Sequence, residues 1–395
     1  MKRYNRKASR ITACLHLSLF CSLLLQSMPV NAGDLERRQA KRIHDRIAGV
    51  PPSAAVLDDM EADIVAGNPG AAAQTAMDND AFYNVTLKNL ATPWTNREQT
   101  MFAPLNDYTA TVIGMVRDNV PFTGILSADL VYVADPALGL TPYSTTNNVH
   151  YQQLEDGNYS LRDNLVATTQ SAVSGLPPAA TAGVMTSRAA AAEFFLAGTN
   201  RAMFRFTLMN HLCNDLEQVK DITRSPGRIR QDVSRSPGGD SRIFLNSCLG
   251  CHSGMDPMAQ AFAYYNFDEG SDRIEYTPGV VQPKYFINGE TFSPGFVTPD
   301  DRWDNYWRAG QNALLGWDGS LPGSGSGAKS LGIELAGSEA FTRCQVTKVF
   351  RAVCLREPGD AADRGQIDDM TLNFTADNYN MKTAFADAAV YCRGD

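Results

Sequence analysis

Five consecutive residues carry the residue types and the spacing of a covalent cofactor site. The segment from Cys248 to His252 has the pattern C-x-x-C-H. Two thiols three positions apart can each add across one vinyl group of a single porphyrin, and the imidazole that follows then projects toward the iron. The pattern therefore predicts one covalently attached c-type haem, held by Cys248 and Cys251, with His252 as the proximal iron ligand.

Three other interpretations of these residues are weaker. A thioredoxin-like C-x-x-C is expected near a βαβ pattern, which this sequence does not show. A zinc site commonly needs a second C-x-x-C or a His pair, and none is present at suitable spacing. A structural disulfide between Cys248 and Cys251 would leave the adjacent His252 unexplained.

The ligand on the opposite, distal face of the iron stays open. An electron carrier would place a Met or a second His there, whereas an enzyme would leave the position free. The candidate histidines are His44, His150 and His211, and the candidate methionines are Met185, Met203, Met209, Met370 and Met381. Met255 and Met258 lie too close to His252 in sequence to reach that face easily. Each candidate methionine is better explained as a filler of apolar gaps, so we name no distal ligand.

Charged and aromatic residues flank the motif. Four arginines suit haem propionates, although a solvated basic loop is the favoured interpretation for them: Arg228, Arg230, Arg235 and Arg242. The aromatic residues after the motif either wall the haem or pack in the core, and both interpretations stay open: Tyr264, Tyr265 and Phe267.

The N-terminus carries the features of an export signal. Five basic residues precede an apolar stretch over residues 11–25, and Val30-Asn31-Ala32 places small residues before a cleavage site. We predict cleavage after Ala32 rather than a membrane anchor, because the apolar stretch is shorter than the roughly 20 residues that span a bilayer. No later segment is long and apolar enough for a transmembrane helix. The sequence therefore predicts a periplasmic or secreted protein with no membrane span after cleavage.

Export places the remaining cysteines in an oxidising compartment, where those outside the haem motif are expected to form disulfides. Cys344 and Cys354 lie about 15 Å apart along one predicted helix, which is too far for a disulfide. One pairing follows if three C-terminal helices run up, down and up, over residues 341–356, 363–372 and 379–392. Cys392 then ends beside Cys354, which leaves Cys344 for Cys213; the alternative swaps the partners.

The charge of the mature chain limits its partners. Loss of residues 1–32 removes five basic and no acidic residues, which moves the formal net charge from −8 to −13. Such a surface repels nucleic acid and anionic lipid, so we predict no nucleic-acid partner. It could steer association with a basic redox partner protein, although an acidic surface that serves solubility explains it equally well.

Hydrophobic periodicity predicts a mainly α protein. The predicted helices cover residues 34–47, 53–66, much of 71–120, and two segments of 186–217 separated near Gly198, besides the C-terminal ones. Loops are predicted over residues 135–163 and 225–240, with a flexible Gly/Ser linker over 316–327. Asn288-Gly289 between apolar residues predicts a β-hairpin within residues 284–292.

The residues around the motif resemble a known family. Asp256-Pro257 follows the motif, and Phe262-Ala263 and Asn266-Phe267-Asp268 follow that pair. This resembles the tripartite planctomycete-type cytochrome c-like proteins, whose haem motif is C-x-x-C-H-x-x-M-D-P. Weaker similarity extends over residues 100–394. The resemblance implies haem, export and a structural turn at Asp256-Pro257 that leaves the haem helix, whereas residues 258–261 depart from the family pattern.

Together these features predict helical domains around a c-type haem, with a small β-hairpin insertion. The predicted parts are a signal peptide (1–32), an N-terminal helical region (33–135), a haem-bearing cytochrome c-like domain (136–328) and a C-terminal helical domain (329–395). The leading hypothesis is an exported monohaem c-type cytochrome acting in electron transfer. The alternative is a haem enzyme with an open distal site that oxidises an organic substrate or uses peroxide, since a bare carrier needs a far shorter chain. A third hypothesis is a haem-free, disulfide-stabilised binding protein.

Overall fold

The computed structural model describes residues 32–196 and 198–394. Residues 1–31, which hold nearly all of the predicted signal peptide, lie outside the described residues. The described residues form sixteen α-helices and three two-stranded antiparallel sheets. This confirms the predicted mainly α fold with small β insertions. No helix in the described ranges is long and apolar enough to cross a membrane.

The helices and strands have the following bounds. The first eight helices are α1 (Ala32–Ala48), α2 (Ala54–Val65), α3 (Pro69–Met77), α4 (Lys88–Ala91), α5 (Asp107–Arg117), α6 (Val149–Asp156), α7 (Leu161–Asn164) and α8 (Gln170–Ser174). The others are α9 (Arg188–Phe194), α10 (Arg201–Leu212), α11 (Ser241–Ile243), α12 (Leu249–Ala259), α13 (Gly327–Ala336), α14 (Glu339–Cys354), α15 (Ala361–Ala376) and α16 (Met381–Tyr391). The strand pairs are β1 (Val131–Ala134) with β2 (Leu165–Thr168), β3 (Tyr265–Asp268) with β4 (Arg273–Tyr276), and β5 (Arg302–Asp304) with β6 (Ser324–Ser326).

Local signals explain where the N-terminal helices begin. The Ser53 hydroxyl accepts a hydrogen bond from the Val56 N–H at 3.3 Å, and the Asn68 side chain accepts one from the Ala71 N–H at 3.3 Å. Both residues therefore act as N-caps. Pro69 occupies the first turn of α3, where its missing N–H costs nothing.

One hydrophobic core cluster runs from Ala40 in α1 to Ala389 in α16. Helices α1 and α3 pack against α16, and α14 packs against α10, α15 and α16, so the first and last helices of the described residues meet. The predicted apolar face of α14 is fully buried: Phe341, Val349, Phe350 and Val353. The division into four parts stays a prediction, because these contacts do not test it.

Two disulfides fix α14, one to α10 and one to the end of α16. Cys213 at the end of α10 bonds Cys344 in α14, with their Cα atoms 5.3 Å apart. Cys354 at the end of α14 bonds Cys392 just after α16, with their Cα atoms 5.5 Å apart. This is the first of the two predicted pairings, and the predicted arrangement of three helices produces it.

The predicted hairpin over residues 284–292 is wrong. Asn288 has a φ of 62°, which suits a tight hairpin turn, but Gly289–Phe292 forms a 3₁₀ turn instead. The Phe292 N–H donates to the Gln231 carbonyl at 2.9 Å, so this segment pairs with a distant part of the chain. The small hairpin that follows the motif is β3–β4, which begins nearer to it in sequence.

Two other predicted irregular segments are ordered. The supposed linker over residues 316–327 contains β6, and a Cβ on Gly325 would lie only 3.0 Å from the Trp303 ring. Gly325 therefore permits close packing at this position. The supposed loop over 135–163 contains α6, which buries Tyr151 and Leu154.

Candidate haem attachment site

The motif lies at the start of α12, which we call the motif helix. Phe244–Cys248 forms a π-helical turn that runs directly into Leu249–Ala259. π-Helical turns inside α-helices are frequent at functional sites. Cys248 and Cys251 lie three positions apart and therefore share one face of the helix.

A second face of the motif helix is fixed against the protein. A Cβ on Gly254 would lie 1.9 Å from Nε1 of the buried Trp307, so only glycine permits this approach. The Asp221 N–H donates to the Gly250 carbonyl at 2.9 Å, and the Ser253 hydroxyl donates to the Asp221 carbonyl at 3.1 Å. These contacts fix the position of the helix that carries the motif side chains.

The two motif cysteines differ from the other four in the described residues. Cys248 and Cys251 are partly exposed and form no disulfide. The Cys251 thiol lies 3.5 Å from the Leu216 carbonyl, and burial raises its pKa, so the neutral thiol is favoured. The structure thus leaves both sulfur atoms available for thioether bonds.

The structure also bears on the competing interpretations of the motif. Each described sheet is two-stranded and antiparallel, so the parallel βαβ unit of a thioredoxin-like site is absent from residues 32–196 and 198–394. Within the same ranges, no group of three or more His, Cys, Asp or Glu side chains is placed to hold a metal ion.

His252 is oriented by a carboxylate one helical turn further along. Its Nδ1 lies 3.1 Å from Oδ1 of Asp256, and its side chain is 20% exposed. Because an ionised carboxylate only accepts hydrogen bonds, Nδ1 carries the proton and its N–H donates a hydrogen bond to Asp256. The lone pair of the imidazole then lies on Nε2, the nitrogen that a proximal ligand presents to iron.

Asp256 is fully buried and paired with arginine. Its Oδ1 accepts from Arg201 Nε at 2.7 Å, and its Oδ2 accepts from Arg201 Nη2 at 3.0 Å and from the Arg230 backbone N–H at 3.3 Å. Burial alone would raise the pKa of Asp256, but the charges of Arg201 and Arg230 hold it well below its usual value. Asp256 is therefore ionised beside His252.

Arg201 joins this carboxylate to a second one. Its Nη1 and Nη2 donate to the two oxygens of Asp232 at 2.6 and 2.9 Å. Arg201 begins α10, directly after Asn200, whose side-chain amide donates to the Phe262 and Tyr265 carbonyls at 2.8 Å each. This anchor ties the start of α10 to the chain that follows the motif helix.

Asp256-Pro257 is not a turn that leaves the haem helix, so that expectation is wrong. Both residues lie inside the motif helix, which continues to Ala259. The Asp256 carboxylate instead accepts hydrogen bonds from His252 and Arg201.

The four arginines before the motif do not form one solvated loop. Arg230 is only 2% exposed and bonds Thr199, and Arg228 donates to Asp304 at 2.6 Å. Arg235 donates to the Ile229 and Val233 carbonyls and is stacked on aromatic rings. Arg242 alone of the four fits the predicted exposed state. Pairing with haem propionates stays a prediction.

The aromatic residues after the motif lie in the core. Tyr264, Tyr265 and Phe267 are at most 8% exposed. Tyr265 stacks on Phe195 at 5.4 Å between ring centroids and donates to the Ala180 carbonyl at 2.6 Å. Core packing therefore accounts for them.

The candidate distal histidines are all buried and hydrogen-bonded. Both His150 nitrogens are engaged, Nδ1 with the Thr141 carbonyl at 2.7 Å and Nε2 with the Ala134 N–H at 2.8 Å. His211 Nε2 bonds the Tyr108 hydroxyl at 2.7 Å, and burial lowers the pKa of His211 well below its usual value. His44 Nδ1 bonds the Val50 carbonyl at 2.8 Å. The candidate methionines pack in or against the core: Met185, Met203, Met209, Met370 and Met381.

The surroundings of the motif fit an apolar macrocycle. Ile243 and Leu245, in the turn before Cys248, are 45% and 51% exposed. Ile222, which packs at Gly250, is 64% exposed. Exposed apolar side chains next to a site favour an apolar ligand there. A porphyrin attached to the two cysteines would have such side chains beside it.

The chain matches no protein-family model, no curated protein and no solved structure. The resemblance to planctomycete-type cytochrome c-like proteins therefore stays a prediction from the motif residues.

Sequence reasoning missed the residues that orient His252. The spacing of Asp256 four positions after His252 was a usable signal, because such pairs are neighbours on a helix. Arg201 and Asp232 gave no signal, since only the folded chain brings them to Asp256.

Proposed function

We propose that this chain is an exported monohaem c-type cytochrome that acts in electron transfer. The observation that carries the proposal is the pair of unbonded, partly exposed thiols beside an imidazole whose Nδ1 is engaged by Asp256. Cys248 and Cys251 are the attachment points, and His252 offers Nε2 as the proximal ligand. When bound, haem c supplies an iron that cycles between two oxidation states.

The other cysteines support the proposed periplasmic or secreted location. Disulfides persist in oxidising compartments, and the Cys213–Cys344 and Cys354–Cys392 bonds suit a periplasmic or secreted protein. Cleavage after Ala32 would leave a strongly acidic chain. We therefore propose a redox partner protein with a basic docking surface.

A second candidate is a haem enzyme with an open distal site that oxidises an organic substrate or uses peroxide. One observation favours it: His44, His150 and His211 are buried in the structure and bonded to other groups. A second axial histidine would have to leave its buried position, and His150 would also have to break a hydrogen bond.

One set of measurements separates the two candidates. Mass spectrometry of the purified periplasmic protein should give the mature polypeptide plus one haem. Spectra of the oxidised and reduced protein, with and without carbon monoxide, should show low-spin iron that binds carbon monoxide poorly. High-spin reduced haem that binds carbon monoxide rapidly would favour the enzyme and contradict the carrier. The bare polypeptide mass would contradict both.

A further inference from the structure

A cluster of ion pairs adjoins His252, and hydrophobic packing alone does not explain its arrangement. Asp256 and Asp232 share Arg201, which donates through two nitrogens to each carboxylate. Arg230 lies behind them, with Nη2 3.9 Å from Oδ1 of Asp256. Two carboxylates thus balance two guanidinium groups, and only Asp256 also bonds the imidazole.

We propose that Asp256 is a positioning residue that sets the ring orientation and donor strength of His252, and that Arg201 holds Asp256 in place for this. The inference rests on the proposed function, since it concerns His252 as an iron ligand. It adds a control of the reduction potential that the C-x-x-C-H pattern does not contain.

The hydrogen bond acts on the imidazole in two ways. It fixes the tautomer, because the proton on Nδ1 leaves Nε2 as the only donor of a lone pair. It also makes the imidazole more basic, because the carboxylate pulls on the Nδ1 proton. A more basic axial ligand stabilises the oxidised iron, so the potential is lower than with a neutral hydrogen-bond acceptor.

Arg201 is the group that makes this arrangement stable. A buried carboxylate without a partner is costly, and Asp256 has no exposed side-chain surface. The two hydrogen bonds from Arg201 hold the carboxylate plane, so that Oδ1 also faces Nδ1 of His252. Lysine has no such fork and would hold the charge without fixing the plane.

The chain offers a matched control for the test. Asp256→Asn and Asp232→Asn each remove one negative charge from the same cluster, but only Asp256 contacts His252. In the haem-loaded protein, we expect Asp256→Asn to move the midpoint potential to more positive values. Asp232→Asn should move it by less than half as much. Equal shifts would mean that only the net charge of the cluster acts, and no shift in Asp256→Asn would likewise overturn the inference.

A second measurement does not need the Asp256→Asn variant, which could fail to fold. In proton NMR of the reduced, low-spin form, the Nδ1 proton of His252 should resonate downfield and exchange slowly with solvent, because a buried carboxylate holds it. In Arg201→Lys, this proton should exchange faster. Rapid exchange in the unaltered protein would overturn the inference.

The two proposals fail in different ways. A protein without bound haem contradicts the proposed function and with it this inference. A haem-loaded protein whose Asp256→Asn variant keeps the same potential contradicts the inference alone.

Discussion

Four of the six cysteines in the described residues form disulfides that link α14 to α10 and to the end of α16, whereas the other two lie at the start of the motif helix and form no disulfide. Cys344 and Cys354 are 3% and 4% exposed and belong to a region held by apolar helix faces. Cys248 and Cys251 are more exposed and belong to a region held by ion pairs. The comparison shows that the surroundings of a cysteine distinguish a structural disulfide from a candidate attachment point.

The histidines show the same contrast. His150 has both nitrogens engaged by the backbone, and His211 is buried beside Tyr108. His252 is partly exposed and has only Nδ1 engaged, by an ionised carboxylate. Burial within the packed core marks a structural residue, whereas a partly exposed group oriented by a charge marks a candidate ligand.

The largest expected effect is on the motif thiols. Replacing Cys248 and Cys251 together by Ala should abolish covalent haem, because no other unbonded thiol is present in the described residues. Mass spectrometry under denaturing conditions measures the loss directly. Haem that stays covalently attached in the double variant would contradict the assignment of the site.

The disulfides should behave in the opposite way. Replacing Cys213 and Cys344 by Ser opens a loop with a sequence separation of 131, which in the chain-entropy description costs roughly 5 kcal/mol. Replacing Cys354 and Cys392, with a separation of 38, should cost roughly 4 kcal/mol. Denaturant unfolding measures both costs, and each variant should keep its haem. Loss of haem would show that haem attachment depends on the disulfide-linked helices.

The same contrast explains what could be predicted from the sequence. The C-terminal helices were predictable because Phe341, Val349 and Val353 repeat at helical spacing. Helix length excluded a Cys344–Cys354 disulfide, and an up-down-up arrangement of three helices then favoured one of the two remaining pairings. The motif was predictable because its chemistry needs neighbouring residues. Both signals are local.

What could not be predicted depends on long-range partners. The segment around Asn288 has a turn signal, yet its backbone pairs with Gln231, which the local pattern cannot specify. Arg201 lies 55 positions before Asp256, and the packing of α10 on the motif helix, with the anchor of Asn200 on Phe262 and Tyr265, brings them together. The glycine content of residues 316–327 predicts a linker, but glycine content alone does not distinguish flexibility from close packing.

A smaller effect is expected where the motif helix meets Trp307. Gly254→Ala places a Cβ 1.9 Å from the Trp307 ring nitrogen, so the helix must shift, at a cost of roughly 1–3 kcal/mol. Gly365→Ala in α15 is the matched control. No atom lies within 4 Å of the added Cβ there, so alanine should stabilise the protein by about 0.5–1 kcal/mol. Thermal unfolding of both variants measures the difference, and effects of the same sign would contradict the proposed contact.

The smallest expected effect concerns strain at the end of α14. Leu355 has a φ of 57° and is 72% exposed, so its side chain resists the left-handed conformation and buries little surface in return. Leu355→Gly should therefore raise the free energy of unfolding by about 0.5–1 kcal/mol, since glycine adopts this conformation freely after a helix.

Leu372 provides the control for that prediction. It is 69% exposed but lies inside α15, where glycine costs about 1 kcal/mol of helix stability. The same substitution should thus stabilise the protein at position 355 and destabilise it at position 372, as measured by urea unfolding. Destabilisation at both positions would mean that the Leu355 side chain supports the helix end near the Cys354–Cys392 bond, and that the left-handed backbone there costs less than its packing contributes.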